Sequence, residues 1–188
     1  MSEHHVNIWT AKLSLPLDEF NKYGEEFLQD GILGWKPNKI ILSGDQAILM
    51  FPAQKNLVVN TGINRSLDRL FGIGGPPAAP STIGVDDGAS NPVAGTTSSS
   101  AGSTNRRLVS FGTPSRTNQV VTASGTFTKT GGAASNFVHK RLFISAAAAG
   151  TTDASGDLAA MTNVFTIDLT GFSDFSQTYS LTYTGAGS

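Results

Sequence analysis

The chain has 188 residues, enough for one ordinary domain or one domain with a small appendage. Only 14% of it is charged, against about 25% in an average domain, and the difference is made up by Gly, Ser, Thr, Ala and Asn. The net charge of −1 and just two basic dipeptides, Arg106-Arg107 and Lys140-Arg141, give no footprint for nucleic acid. The absence of cysteine excludes disulfides and cysteine-held zinc.

Composition shifts near residue 56. Every glutamate (Glu3, Glu19, Glu25, Glu26) precedes it, and most Ser and Thr follow it. The first part reads as a compact α+β module, residues 1–56. Val6 to Leu15 alternates as a strand, with Trp9, Ala11, Leu13 and Leu15 on one side. Pro16 opens a helix in which Leu17, Phe20, Phe27 and Leu28 recur at helical spacing. Asp18 and Glu19 sit in its first turn, where the helix dipole favours negative charge, and Gly31 stands at its end. Lys39–Ser43 and Gln46–Phe51 form a hairpin about Gly44-Asp45. About 50 residues make a small core, so this module is expected to lean on the rest of the chain or on a partner.

The second part, residues 57–188, opens with a helix from Thr61 to Phe71. Ile63, Leu67, Leu70 and Phe71 share one face, and Leu67 and Leu70 are expected to pack against the strands or a neighbour. Gly72-Ile73-Gly74-Gly75-Pro76-Pro77 terminates it. A phosphate-binding glycine loop would precede a helix, and no Walker lysine follows. The period then becomes two. Strands are expected at Thr82–Val85, Leu108–Phe111, Val120–Thr128, Phe137–Ile144, Val164–Leu169 and Tyr179–Tyr183. In Phe137–Ile144, Val138, Leu142 and Ile144 oppose His139 and Arg141. The fold class is therefore mainly β: an antiparallel β-sandwich, jelly-roll-like, preceded by the small α+β module. A long loop, Asp86 to Thr104, is low in complexity, and its order is expected to depend on assembly.

Chemistry is sparse. His4-His5 lies at the N-terminus, and His139 stands alone in a strand, read as a surface or packed side chain. Asp86-Asp87-Gly88 lacks the alternating ligands and closing Glu of a calcium loop. G-x-S-x-G does not occur, and Asp153, Asp157, Asp168 and Asp174 read as turn and surface acids. No catalytic, cofactor-binding or metal-binding residues are expected, and no cofactor. Phe165, Phe172, Phe175, Tyr179 and Tyr183 read as core, with an exposed glycan-stacking platform as the alternative. The longest apolar stretch, Ala47–Ala53, contains Pro52 and is too short for a membrane span, and no secretory signal is read.

From Asn56 to Ser188 the chain carries NLVVNTGINRSLDRLFG, then IGVDDGASNPVAGTTSSS, then alternating strands ending in Tyr179, Leu181 and Tyr183. This succession resembles small β-rich structural proteins of tailed bacteriophages. The resemblance implies a non-enzymatic virion protein of the neck, tail or fibre-attachment apparatus, assembled in the host cytoplasm. Its partners would be copies of itself and other virion proteins, without nucleic acid or a membrane span. A capsid decoration protein and a carbohydrate- or receptor-binding module are the alternatives. Trp9, Phe20, Phe27, Trp35, Leu67 and Leu70 are the candidate interface residues.

Overall fold

The computed structural model describes residues 6–29, 35–58, 60–74, 78–96, 107–131, 137–147, 149, 158–163 and 165–184. In chain order these form β1 (Val6–Pro16), α1 (Leu17–Gln29), β2 (Lys39–Ser43), β3 (Gln46–Val58) and α2 (Asn60–Phe71). Then come β4 (Thr82–Asp86), β5 (Arg107–Ser110), β6 (Ser115–Thr117), β7 (Val120–Lys129), β8 (Val138–His139) and β9 (Arg141–Ser145). The last are β10 (Leu158–Thr162), β11 (Ile167–Asp168) and β12 (Phe175–Thr184). The chain is mainly β, with antiparallel sheets and two helices, the class that its alternation predicts. It divides into two compact units. The first comprises Met1–Lys55, Phe111–Val138 and Phe165–Ser188, and the second Asn56–Ser110 and His139–Val164.

The sheet of the first unit runs β2-β3-β1-β12-β7-β6. Alternation decides which residues point inward. Trp9, Ala11, Leu13 and Leu15 of β1 are buried, as are Ala47, Leu49 and Phe51 of β3, Phe175, Tyr179 and Leu181 of β12, and Phe127 of β7. Rings from the connecting segments join this face. Trp35 meets Phe51 and Phe165 at centroid separations of 5.5 and 5.1 Å, and Phe137 meets Phe175 edge-on at 4.7 Å. The Trp35 indole N–H donates to the Pro52 carbonyl at 2.9 Å, so burying this ring strands no donor. The opposite face is hydroxyl-rich. Ser124 meets Ser180 and Thr126 meets Thr178 across β7 and β12, at 2.8 and 2.9 Å between hydroxyl oxygens. Two tight turns set the hairpin registers. Gly44, with φ +61°, lies between Ser43 and its partner Gln46, and Asn118, with φ +55°, lies between Thr117 and its partner Val120.

The sheet of the second unit runs β5-β4-β9-β10 and ends on the last residues of β3, where Val58, Leu57 and Asn56 pair with Ala160, Met161 and Thr162. Every residue of β4 and β10 is buried. Leu108, Phe143, Ala147, Leu158 and Met161 form its apolar cluster. Gly84 is required by the Phe143 ring, which occupies the space where a Cβ would project.

Several expectations change. The expected α+β module, residues 1–56, shares its sheet with the C-terminal part of the chain: β1 pairs with β12 from Val6↔Thr184 to Ser14↔Ser176. A strand with partners on both edges belongs to the sheet that supplies them. The expected strand Phe137–Ile144 breaks at Lys140 into β8 and β9; His139, read as a surface or packed side chain, is packed, and Arg141 is buried instead of facing water. Among the described residues of the expected strand Val164–Leu169, only Ile167–Asp168 is strand, although Phe165, Ile167 and Leu169 are buried as alternation requires. Two strands, β6 and β10, arise where none was expected. The first part of the Asp86–Thr104 loop is tied to its own chain. Asn60 N–H donates to the Ala94 carbonyl at 2.8 Å, and Val93 N–H to the Thr96 hydroxyl at 2.9 Å. Residues 97–104 of that loop, His4-His5, Asp153, Asp157 and the Phe27 side chain lie outside the described residues.

One residue in the first unit breaks the inward pattern. Gln177 of β12 is fully buried between Leu13 and Phe127 in register, and neither its amide nitrogen nor its oxygen has a hydrogen-bond partner among the described residues. An unsatisfied buried amide costs about 1–3 kcal/mol. Gln177→Met keeps the length and removes both polar atoms. It is expected to raise stability by about 1–3 kcal/mol in urea denaturation. A loss of stability would mean that the amide has partners in solution.

Candidate functional site

Helix α2 is where sequence and packing diverge most. Gly62 lies against β10 so closely that a Cβ there would run into the Ala159 carbonyl. Successive residues turn by about 100°, which places Ile63, Leu67, Leu70 and Phe71 in one stripe centred about 120° from Gly62. The stripe therefore points away from the strand the helix packs on. Leu67 is 45% exposed and Leu70 74%, and Ile63, Phe71 and Ile73 are exposed as well. The expectation that Leu67 and Leu70 pack on the strands is not met within the chain. The glycine made the backbone contact and took that side of the helix. The helix ends in a Schellman turn: Gly72 adopts φ +66°, and the Ile73 N–H donates to the Asp68 carbonyl at 2.9 Å. That turn fixes Ile73 beside the stripe's end.

The other expected anchors are elsewhere. Trp9 and Trp35 are core residues of the first unit, at 0% and 3% exposure. Phe20 of α1 is half-buried. Phe165, Phe172, Phe175 and Tyr179 are buried, and Phe172 meets Tyr23 in a tilted contact at 4.5 Å, so these rings offer no platform for a sugar. Of the six candidates, Trp9 and Trp35 are thus core residues, while Leu67 and Leu70 are exposed on α2.

A polar cluster that sequence reasoning missed lies in the second unit. Asp86 at the end of β4 faces Arg141 at the start of β9 in register. Arg141 Nε and Nη2 donate to the two carboxylate oxygens, each at 2.8 Å, and Nη1 donates to the Ser90 carbonyl at 2.9 Å. The Gly88 N–H also donates to Oδ1 at 2.9 Å, and the Lys140 N–H to the Asp86 carbonyl at 2.7 Å. Both side chains are buried. Asp86 is thereby committed to Arg141 and to its own turn, and the pair anchors the start of the 87–96 loop. Among the described residues no three His, Cys, Asp or Glu side chains come together as metal ligands. His139, the last residue of β8, is fully buried. Burial first, and the nearby Arg107 charge second, push its pKa down to about 3.

No family model matches this chain, and neither a curated protein nor a solved structure matches it. Among the described residues no helix is long and apolar enough to cross a membrane.

Two outcomes follow from the buried polar groups. Arg141→Ala leaves the Asp86 carboxylate buried without its counter-charge, and about 3–5 kcal/mol of stability should be lost. The double change Asp86→Leu, Arg141→Met should recover most of it in a double-mutant cycle by chemical denaturation. His139 gives a pH signature. Its folded pKa lies below the ordinary 6.5, so the unfolded chain binds this proton first. The contribution is complete above pH 6.5 and fades as pH falls towards 3, by about 1.4 kcal/mol per unit. His139→Asn should flatten stability between pH 6 and 4. An unchanged pH profile would place the titration on other groups.

Proposed function

We propose that this chain is a non-enzymatic structural protein of a tailed-bacteriophage particle, in the neck, tail or fibre-attachment apparatus, and that it works by docking. The observation that supports the reading is the outward apolar stripe of α2. An amphipathic helix normally turns such a stripe to its own core. Here Gly62 takes that place, and five large apolar side chains from Ile63 to Ile73 are left exposed on one short element. Contiguous exposed apolar surface marks an interaction site.

The occupant is an apolar groove on another protein of the particle. With 12 residues α2 is about 18 Å long, less than two heptads, which is too short to hold a coiled coil with its own copy. Its anchors at Ile63, Leu67, Leu70 and Phe71 follow the i, i+4, i+7, i+8 spacing of helix-in-groove recognition. The rims, Asn64 and Ser66, are neutral and add no ion to be desolvated on docking.

Leu70→Glu with Phe71→Gln tests the reading. Both positions are largely exposed, so the free chain's denaturation midpoint should move by only about 0.5 kcal/mol per substitution. Incorporation into purified particles of the encoding phage, read by mass spectrometry, should fall at least tenfold. Normal incorporation of the variant, or absence of the unaltered chain from the particles, would defeat the proposal.

A further inference from the structure

The edge of the first unit's sheet has a second open surface, of another kind. β2 pairs with β3 from Lys39↔Met50 to Ser43↔Gln46 and has no other strand neighbour among the described residues. Four of its five residues are exposed, with Ile41 at 37% and Leu42 at 60%. Edge strands are ordinarily blunted by an inward charge, a proline or a bulge, because their free N–H and C=O groups template pairing with another chain. The central Ile40-Ile41-Leu42 carries none of these devices, and its pairing with β3 is regular.

We infer that β2 is a pairing edge for β2 of a second copy, joined antiparallel about a twofold axis at Ile41. The sequence Lys39-Ile40-Ile41-Leu42-Ser43 is self-complementary in that register. Ile41 faces its own copy, Ile40 faces Leu42, and Lys39 faces Ser43, so the strand's one charge never meets its like. The backbone phase agrees. Ser43 and Gln46 close the two-residue turn as a hydrogen-bonded pair. By alternation Ile40 and Leu42 then direct their N–H and C=O groups away from β3. In the paired edge these two residues exchange about four backbone hydrogen bonds with their mates, while Ile41 falls at the close-approach, non-hydrogen-bonded position. Ile40 and Leu42 share a sheet face with Leu49 and Ala47, which are buried, so the joined edge continues the core-side face across the axis. The inference does not rest on α2 docking, since a different element in a different unit carries it.

The lack of cysteine makes the register directly readable. In Ile41→Cys the two Cα atoms should lie about 4.5 Å apart across the axis, within disulfide range. In Ser43→Cys the two positions are four residues out of step, about 13 Å, and cannot bridge. Under mild oxidation of the full chain, the first variant should form covalent dimer at least tenfold faster than the second. Adding Leu42→Lys to Ile41→Cys should abolish the difference, with the circular dichroism spectrum unchanged to show that the chain still folds. Adding Leu70→Glu instead should leave the crosslink intact, which separates this contact from docking through α2. Equal rates at positions 41 and 43, no crosslink at either, or loss of the crosslink on changing Leu70 alone would each overturn the inference.

Discussion

The first unit depends on β1 being hydrogen-bonded along both edges. On one side it meets β12 in nine consecutive pairs, and on the other it meets β3 with a single irregularity between Trp9 and Ala11. Its inward residues Trp9, Leu13 and Leu15 are fully buried only because both neighbours are present. The partner strand on one side comes from the far end of the sequence, Phe175–Thr184. Closing so long a loop costs entropy before any contact repays it, so this ladder is expected to form late in folding. The rings that join the core-side face come from separate segments too: Trp35 follows α1, Phe137 precedes β8, and Phe165 and Phe172 flank β11. None of these segments carries enough apolar surface to order itself. Each is held by the same completed sheet.

This dependence explains which parts of the fold were legible in the sequence. Strands with one buried and one wet face announce themselves by alternation: β1 and β7 fall almost where the pattern put them, and β12 contains the expected Tyr179–Tyr183 but begins four residues earlier, at Phe175. Helix α2 begins within one residue of its expected start and ends where glycine stops it. β10 was not legible, because all five residues of Leu158-Ala159-Ala160-Met161-Thr162 are buried and no polar face marks a period. Arg141 was misread for a related reason. Alternation assigns a charged strand residue to water, and the partner that justifies its burial, Asp86, lies 55 positions earlier. Pairing across such separations leaves no local trace. Nor does the hydrophobic pattern reveal which side of α2 meets the sheet. The stripe was legible, but not that Gly62, by its close approach to Ala159, takes the side of the helix that meets the strand.

Low charge and abundant hydroxyls first suggest that the Thr and Ser faces of the strands form the contact surfaces. The geometry argues otherwise. The hydroxyls of Ser124 and Ser180, and of Thr126 and Thr178, already bond to each other across β7 and β12. What remains of their capacity is met by water, so a partner would gain little by replacing it. Such a face is hydrated without charge and gains little from a neighbour.

The apolar side chains differ, and their distribution is uneven. Scattered exposed hydrophobic residues are normal on any protein and need no partner. Of the large apolar side chains exposed among the described residues, all but Val93 fall in two short stretches, Ile41-Leu42 and Ile63 to Ile73. Each stretch belongs to an element whose backbone is fixed by something else: β2 by its turn and β3, α2 by Gly62 and its Schellman cap. Rigid backbones mean that little conformational entropy remains to be lost when a partner covers these residues. The two stretches also differ in the geometry they offer. A helix presents side chains to a groove, whereas a strand edge presents backbone groups to another strand. An apolar groove satisfies the first and an exposed strand edge the second. If α2 docks in a groove as proposed and β2 pairs with its own copy as inferred, the two contacts are unlike in geometry and can be tested separately.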